Sequence, residues 1–295
     1  MKRNSSIFIL FILLFMFCTA CEGKTISQSS TSEDVLFQES YTLNEIRTSE
    51  KEETDSEASI QTGWITEQIL EGNDGEIHYS YYLPENYDVN QAYPMMVIMP
   101  GYDMMWFGEE SSGANLSWSG LLAWTNLSED MIVVSAQLTD WHEKSARQSI
   151  ELTEYFLNNF AVDASRVYAA GYSAGGETMS QAVALRPDLY AAYLHGASQW
   201  DGSFKPVAEE GVAVYIFMAE NDEYYGSQKA RDAYNGLYEA YQAAGWTKDQ
   251  INRILRLEIP DNDYFNRMGI YNYHGGGNVL FDDENILNWI ISHRK

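Results

Sequence analysis

The run Arg166-Val-Tyr-Ala-Ala-Gly-Tyr-Ser-Ala-Gly-Gly176 restricts the fold of this chain more than any other stretch. A β-favouring segment ends in Gly171-Tyr172-Ser173-Ala174-Gly175, and a helix-compatible stretch begins at once. The G-x-S-x-G pattern has a mechanical reason. A strand that turns sharply into a helix leaves its serine on a strained corner, with Oγ projecting from the top of a sheet. Glycines two positions either side let the corner close, because they tolerate its backbone angles and carry no Cβ. Ser173 is therefore the candidate nucleophile.

The rest of the chain supplies the sheet that such a corner needs. Trp64–Glu71 and Glu76–Leu83 alternate, with Asn73-Asp-Gly75 between them as turn chemistry, which predicts an antiparallel pair. Short apolar runs at Tyr93–Met99 and Met131–Ala136 predict buried parallel strands. Further strands are expected at Val167–Gly171, Tyr190–His195, Val212–Met218 and Ile254–Ile259. Helices are expected at 143–160, 174–185, 227–243 and 283–293. Asp163 to Arg166 reads as a short connection, and Arg186-Pro187 stops the helix after the serine. Strands alternating with helices predict an α/β fold, a mostly parallel sheet of about eight strands flanked by helices.

Lys2 and Arg3, the apolar run Ile7–Phe17 and then Cys18-Thr-Ala-Cys21 read as a signal peptide over residues 1–20. The apolar run is too short for a comfortable membrane span. Cys18-Thr-Ala-Cys21 resembles a bacterial lipoprotein signal, which implies lipidation of Cys21. Cys18 stands where such signals usually carry Leu, which leaves plain secretion as the alternative. These two cysteines are the whole complement, so no disulfide framework can form. From Glu22 to Gln61 the chain is rich in Ser, Thr and Glu, too polar to offset ordering entropy, and reads as a disordered tether. Residues 62–295 are long enough for a single substantial domain, the one expected to hold Ser173 and any catalytic site.

With 43 acidic against 18 basic residues, the net charge is −25. Such a surface repels polyanions, which argues against nucleic acid, and no nucleic-acid partner is expected. The clusters Asp261-Asn-Asp263 and Asp282-Asp-Glu284 suit turns and helix starts rather than metal, and no cofactor is expected.

A serine hydroxyl is a weak nucleophile; it needs a base, and the base needs a group to orient it. Three histidines follow Ser173. His195 falls inside an expected strand and His293 near the end of the last helix. His274 falls in Tyr271-Asn-Tyr-His-Gly-Gly-Gly277, a loop whose glycines permit close approach, and is the candidate base. The segment Val214–Met218 runs into Glu220, Asp222 and Glu223. Asp222 leads as the orienting acid, with Glu220 and Glu223 competing. An oxyanion needs two backbone N–H donors. Ala174, next after the nucleophile, supplies one; Tyr102, in Met99-Pro-Gly-Tyr102, is the candidate for the other, since Pro100 has no N–H. Trp106, Phe107, Trp141, Trp200, Tyr224 and Tyr225 fall at the expected C-terminal edge of the sheet, where open α/β sheets bind ligands. Trp141 and Trp200 are the candidates for substrate binding, and Asp140 and His142 are possible polar groups beside them.

Five motifs carry a family resemblance: Tyr81-Tyr-Leu-Pro-Glu-Asn-Tyr87, Asp163-Ala-Ser-Arg-Val-Tyr168, Gly171-Tyr-Ser-Ala-Gly-Gly176, Glu220-Asn-Asp-Glu223 and His274-Gly-Gly276. On these, residues 76–295 resemble the exported esterase branch of the α/β-hydrolase superfamily, near feruloyl esterases, polyhydroxybutyrate depolymerases and prolyl-oligopeptidase-like enzymes. The resemblance implies the order Ser, acid, His. It also implies a surface-anchored serine hydrolase that cleaves carboxylic esters through an acyl-enzyme. The expected partners are a small-molecule or polysaccharide-linked ester, and the outer face of the cell membrane through Cys21. Met99-Pro-Gly101 departs from the His-Gly of many relatives. His274-Gly-Gly-Gly277 follows the nucleophile by about a hundred residues, too late for the oxyanion-hole role of a similar run in lipases. Two rivals remain, a serine peptidase with the same machinery and a non-catalytic binding lipoprotein on the same fold.

Overall fold

The computed structural model describes residues 60–108 and 113–295. The signal segment, Cys21 and nearly all of the tether lie outside the described residues. Among the described residues no helix is long and apolar enough to cross a membrane.

β1 (Gly63–Gly72) and β2 (Gly75–Leu83) form an antiparallel pair turned by Asn73 and Asp74. Then come β3 (Tyr93–Met99), β4 (Ile132–Gln137), β5 (Val162–Tyr172), β6 (Ala192–Gly196), β7 (Ala213–Phe217) and β8 (Leu255–Glu258). They build one sheet in the order β1-β2-β4-β3-β5-β6-β7-β8. β2 meets β4 antiparallel, and every pairing from β4 to β8 is parallel. This is the mixed eight-stranded sheet of the α/β-hydrolase fold, as the strand pattern predicts.

The helices are α1 (Ser119–Thr125), α2 (Glu143–Asn159), α3 (Ala174–Leu185), α4 (Phe204–Glu210), α5 (Ser227–Ala243), α6 (Lys248–Ile254), α7 (Asn262–Asn266), α8 (Tyr273–Gly276) and α9 (Glu284–Ile291). Strand β3 shows how they find their places. All seven of its residues are buried, and successive side chains leave opposite faces of the pleat. Met95, Val97 and Met99 join one core, with Phe156 of α2, Met179 of α3, Val207 of α4, Leu237 of α5 and Ile251 of α6. Met96 and Ile98 join the other, with Trp124 of α1, Phe265 of α7 and Ile290 of α9. A strand apolar at every position is thus covered on both sides.

Two expectations change. β5 starts at Val162, not Val167: Tyr93 pairs with Val162 and Met95 with Val167, so the residues between bulge from the ladder. Asp163 closes the bulge by accepting from Ser165 N–H at 3.0 Å and Arg166 Nε at 2.7 Å. The short helices α1, α4, α6, α7 and α8 carry too few turns for a readable apolar period. Thr247 and Gln250 start α6 with a capping box. Asp261 and Asp283, from the two acidic clusters, cap α7 and α9.

Candidate active site

Ser173 stands where β5 becomes α3, with φ 55° and ψ −123°. An L residue avoids that region unless its surroundings impose it. Here packing does so. A Cβ at Gly175 would lie 2.2 Å from the Met99 carbonyl oxygen, and one at Gly171 would lie 2.4 Å from that of Gly175. The corner is also hydrogen-bonded on both sides. Ser173 N–H donates to the Gly196 carbonyl at 3.0 Å, and the Ser173 carbonyl accepts from Gly176 N–H at 2.8 Å and Ser198 Oγ at 2.7 Å.

Strand order brings β7 to one side of this corner, and the loop after β7 carries Asp222 toward His274. Ser173 Oγ and His274 Nε2 are 3.0 Å apart, and His274 Nδ1 is 2.8 Å from Asp222 Oδ2. The other Asp222 oxygen accepts the N–H groups of Tyr224 at 3.0 Å and Tyr225 at 2.8 Å. Burial works to raise the Asp222 pKa, but the hydrogen bonds from His274 and from the two backbone N–H groups hold it below the ordinary carboxylate range. An ionised Asp222 keeps a proton on Nδ1, which leaves Nε2 free to accept the serine proton.

The competing acids do other things. Glu223 accepts the backbone N–H of Tyr273 at 3.0 Å and of His274 at 2.8 Å. Glu220 is exposed. His274 itself lies on α8 rather than in a loop, a correction with a local cause. Asn272 caps the turn through Gly275 N–H at 2.9 Å and accepts Gly276 N–H at 2.7 Å. The Tyr172 hydroxyl donates to the His274 carbonyl, so the residue before Ser173 also anchors the backbone of His274. His195 is fully buried in β6, with Nδ1 2.7 Å from Tyr193 Oη and Nε2 3.1 Å from the Ser198 carbonyl. Burial lowers its pKa to about 4, so the ring is neutral. His293 Nδ1 donates to the Trp289 carbonyl at 2.7 Å.

Tyr102 and Ala174 each take the first position of a helix, where an N–H has no partner within the helix. Gly101 brings the first of these loops against Ser173: a Cβ there would stand 3.6 Å from Ser173 Cβ. Both residues line a cavity of about 440 Å³ in front of Ser173. Its walls are aromatic, from Trp118, Trp141, Tyr172, Tyr224 and Tyr225, with Asp103, Glu177 and Asn278 as polar groups. Tyr224 stacks on His274 at 5.3 Å between ring centroids.

Trp141 is in that wall; Trp200 is not, which corrects the expectation for it. Its indole packs on Tyr193, His195 and Phe204, and Nε1 donates to the Gly202 carbonyl at 2.9 Å. Trp106 stacks on His78, and Phe107 packs at a tilt on Tyr102; neither Trp106 nor Phe107 is in the lining. Asp140 accepts from Ser145 Oγ at 2.6 Å and His142 N–H at 3.0 Å at the start of α2, and neither Asp140 nor His142 lines the cavity. Sequence reasoning missed Trp118, Tyr172 and Glu177. Glu177 had a usable signal, three residues past Ala174 on the helix that follows Ser173 and therefore on the same face as Ala174. Trp118 had none.

Residues 135–250 match the model of the prolyl oligopeptidase family, a span that takes in Ser173 and Asp222 and ends before His274. A thermostable esterase superposes with a TM-score of 0.66 at 17% identity over 79% of this chain, which spans 63% of that structure. A protein from Bacteroides ovatus named for dipeptidyl aminopeptidase IV gives 0.54 at 15% identity over 79% of this chain and 36% of its own. A mutant feruloyl esterase module from Clostridium thermocellum, complexed with sinapinate, gives 0.51 at 16% identity over 78% and 88%. No curated protein matches the chain by sequence. The chain has the α/β-hydrolase fold.

Proposed function

We propose that this protein cleaves carboxylic esters through an acyl-enzyme on Ser173. The single observation that carries the reading is the relay from Ser173 Oγ through His274 to Asp222, at 3.0 and 2.8 Å, opening on an aromatic cavity. Ser173 Oγ attacks the ester carbonyl carbon while His274 Nε2 takes its proton. The N–H groups of Tyr102 and Ala174 receive the charge that develops on the carbonyl oxygen. The imidazolium then returns the proton to the departing alcohol. Water repeats the sequence on the acyl-enzyme and releases the acid. Asp222 stays ionised throughout and stabilises the imidazolium. The aromatic walls supply apolar area for an acyl group or a sugar ring.

A second reading, cleavage of peptides, is favoured by the match to the prolyl oligopeptidase family. It asks the same imidazolium to protonate a poorer leaving group. Turnover of a panel of aryl, acetyl-sugar, feruloyl and peptide substrates separates the two. Cleavage of esters but not of peptides supports the first; a peptide preferred over every ester overturns it. We also propose that the protein is exported and held at the outer membrane face through lipidated Cys21, a reading supported by the Cys18–Cys21 segment behind a basic and apolar leader.

A further inference from the structure

We propose that the cavity selects acyl groups carrying a positive charge, short aminoacyl chains whose ammonium docks on Glu177. This rests on the ester-hydrolase reading and names its substrate class.

Glu177 is 6% exposed and lines the cavity. Tyr225 Oη donates to its Oε1 at 2.5 Å, and Ser173, Glu177 and Tyr225 line the same cavity, so the carboxyl and the hydroxyl of Ser173 face one space. Residues three apart share a helix face, so Glu177 looks into the cavity beside Ala174. A carbonyl oxygen held by Ala174 N–H and an alcohol leaving toward His274 Nε2 place the acyl chain on the Glu177 side.

The charges of the wall point the same way. Asp103 and Glu177 line the cavity, and among the described residues no Lys or Arg does. No salt bridge among the described residues reaches Glu177 or Asp103. Burial raises the Glu177 pKa, the Tyr225 hydrogen bond opposes this, and Asp201 raises it further. An ammonium beside Glu177 offsets both the burial and the like charge, in a cavity whose lining also includes Trp141 and Tyr224. An anionic acyl group loses its hydration and meets only repulsion.

The test uses p-nitrobenzyl esters of β-alanine, butanoic acid and succinic acid, with the full chain, following release of p-nitrobenzyl alcohol. The β-alanyl ester is expected to exceed the butanoyl ester in kcat/KM by about tenfold or more, the usual worth of a charged hydrogen bond, and the hemisuccinate to be slowest. Glu177→Gln keeps the size of the side chain and an acceptor for Tyr225 while removing the charge. It is expected to bring the β-alanyl-to-butanoyl ratio close to one. If Glu177 serves only to hold Tyr225, Glu177→Gln and Tyr225→Phe slow all three esters alike and the ratio stands, which overturns the proposal. A wild-type protein that cleaves the butanoyl ester at least as well as the β-alanyl ester also overturns it, and leaves the hydrolase reading intact. A wild-type protein that cleaves none of the three overturns both. The wild-type ratio needs no variant, so a Glu177→Gln protein that fails to fold still leaves a decisive result.

Discussion

Glu223 accepts the backbone N–H of His274 at 2.8 Å while its neighbour Asp222 takes the ring at the same distance. Two adjacent acids thus divide one histidine. Asp222 sets the tautomer, and Glu223 sets where the backbone of α8 stands. Asp222→Asn is expected to lower kcat on the order of 10⁴, through the wrong imidazole tautomer. Glu223→Ala removes two charge-assisted hydrogen bonds, and about a tenfold to hundredfold loss is expected. Glu220→Gln should cost less than about tenfold, since an exposed acid contributes a weak, screened field. Kinetics on the three variants check this, and a larger loss at Glu220 than at Asp222 would reassign the acid.

Ser173→Ala and His274→Ala should each abolish ester turnover and fluorophosphonate labelling at Ser173. The double variant should be little worse than either, because members of one relay act as a unit. Losses that multiply would mean that the two residues act separately.

Gly175→Ala forces a Cβ to 2.2 Å from the Met99 carbonyl and 2.5 Å from that of Pro100, and both are backbone atoms that cannot swing aside. Loss of soluble folded protein, or of several kcal/mol, is expected from such overpacking. Gly101→Ala meets nothing closer than 3.6 Å and has an ordinary extended backbone, φ −68° and ψ 169°. Its unfolding midpoint should stay near the wild type. Urea titrations of both variants test the contrast.

His195 binds its proton near pH 4 when folded, against 6.5 for the free side chain. Between those values the unfolded chain holds a proton that the folded chain lacks. Stability therefore falls as pH drops through that window, by up to about 1.4 kcal/mol per pH unit. His195→Gln, which keeps a donor for the Ser198 carbonyl, should be less stable at neutral pH but lose less on acidification between about pH 6.5 and 5. Parallel slopes for the two proteins would show that other groups carry the acid sensitivity.

Cys21→Ala should move the protein from the membrane fraction to the medium, because stable anchoring needs the several acyl chains a lipoprotein cysteine would carry. Unchanged fractionation would contradict lipidation at Cys21.

By itself the sequence determined most of the strands, the Gly-Tyr-Ser-Ala-Gly corner at Ser173 and the suitability of the two acidic clusters for turns and helix starts. These are local matters. Alternation, turn chemistry and the glycines around Ser173 act within about ten residues of one another. Tertiary structure alone decided which acid serves His274, because Glu220, Asp222 and Glu223 share one turn and differ only in direction. It decided equally that Trp141 faces the cavity while Trp200 is spent on Tyr193, His195 and Phe204. Tyr172 and His274 are 102 residues apart, yet they are joined by a hydrogen bond. Such contacts follow from the strand order across the sheet and from the short turns after β7 and β8, and no local pattern along the chain encodes either.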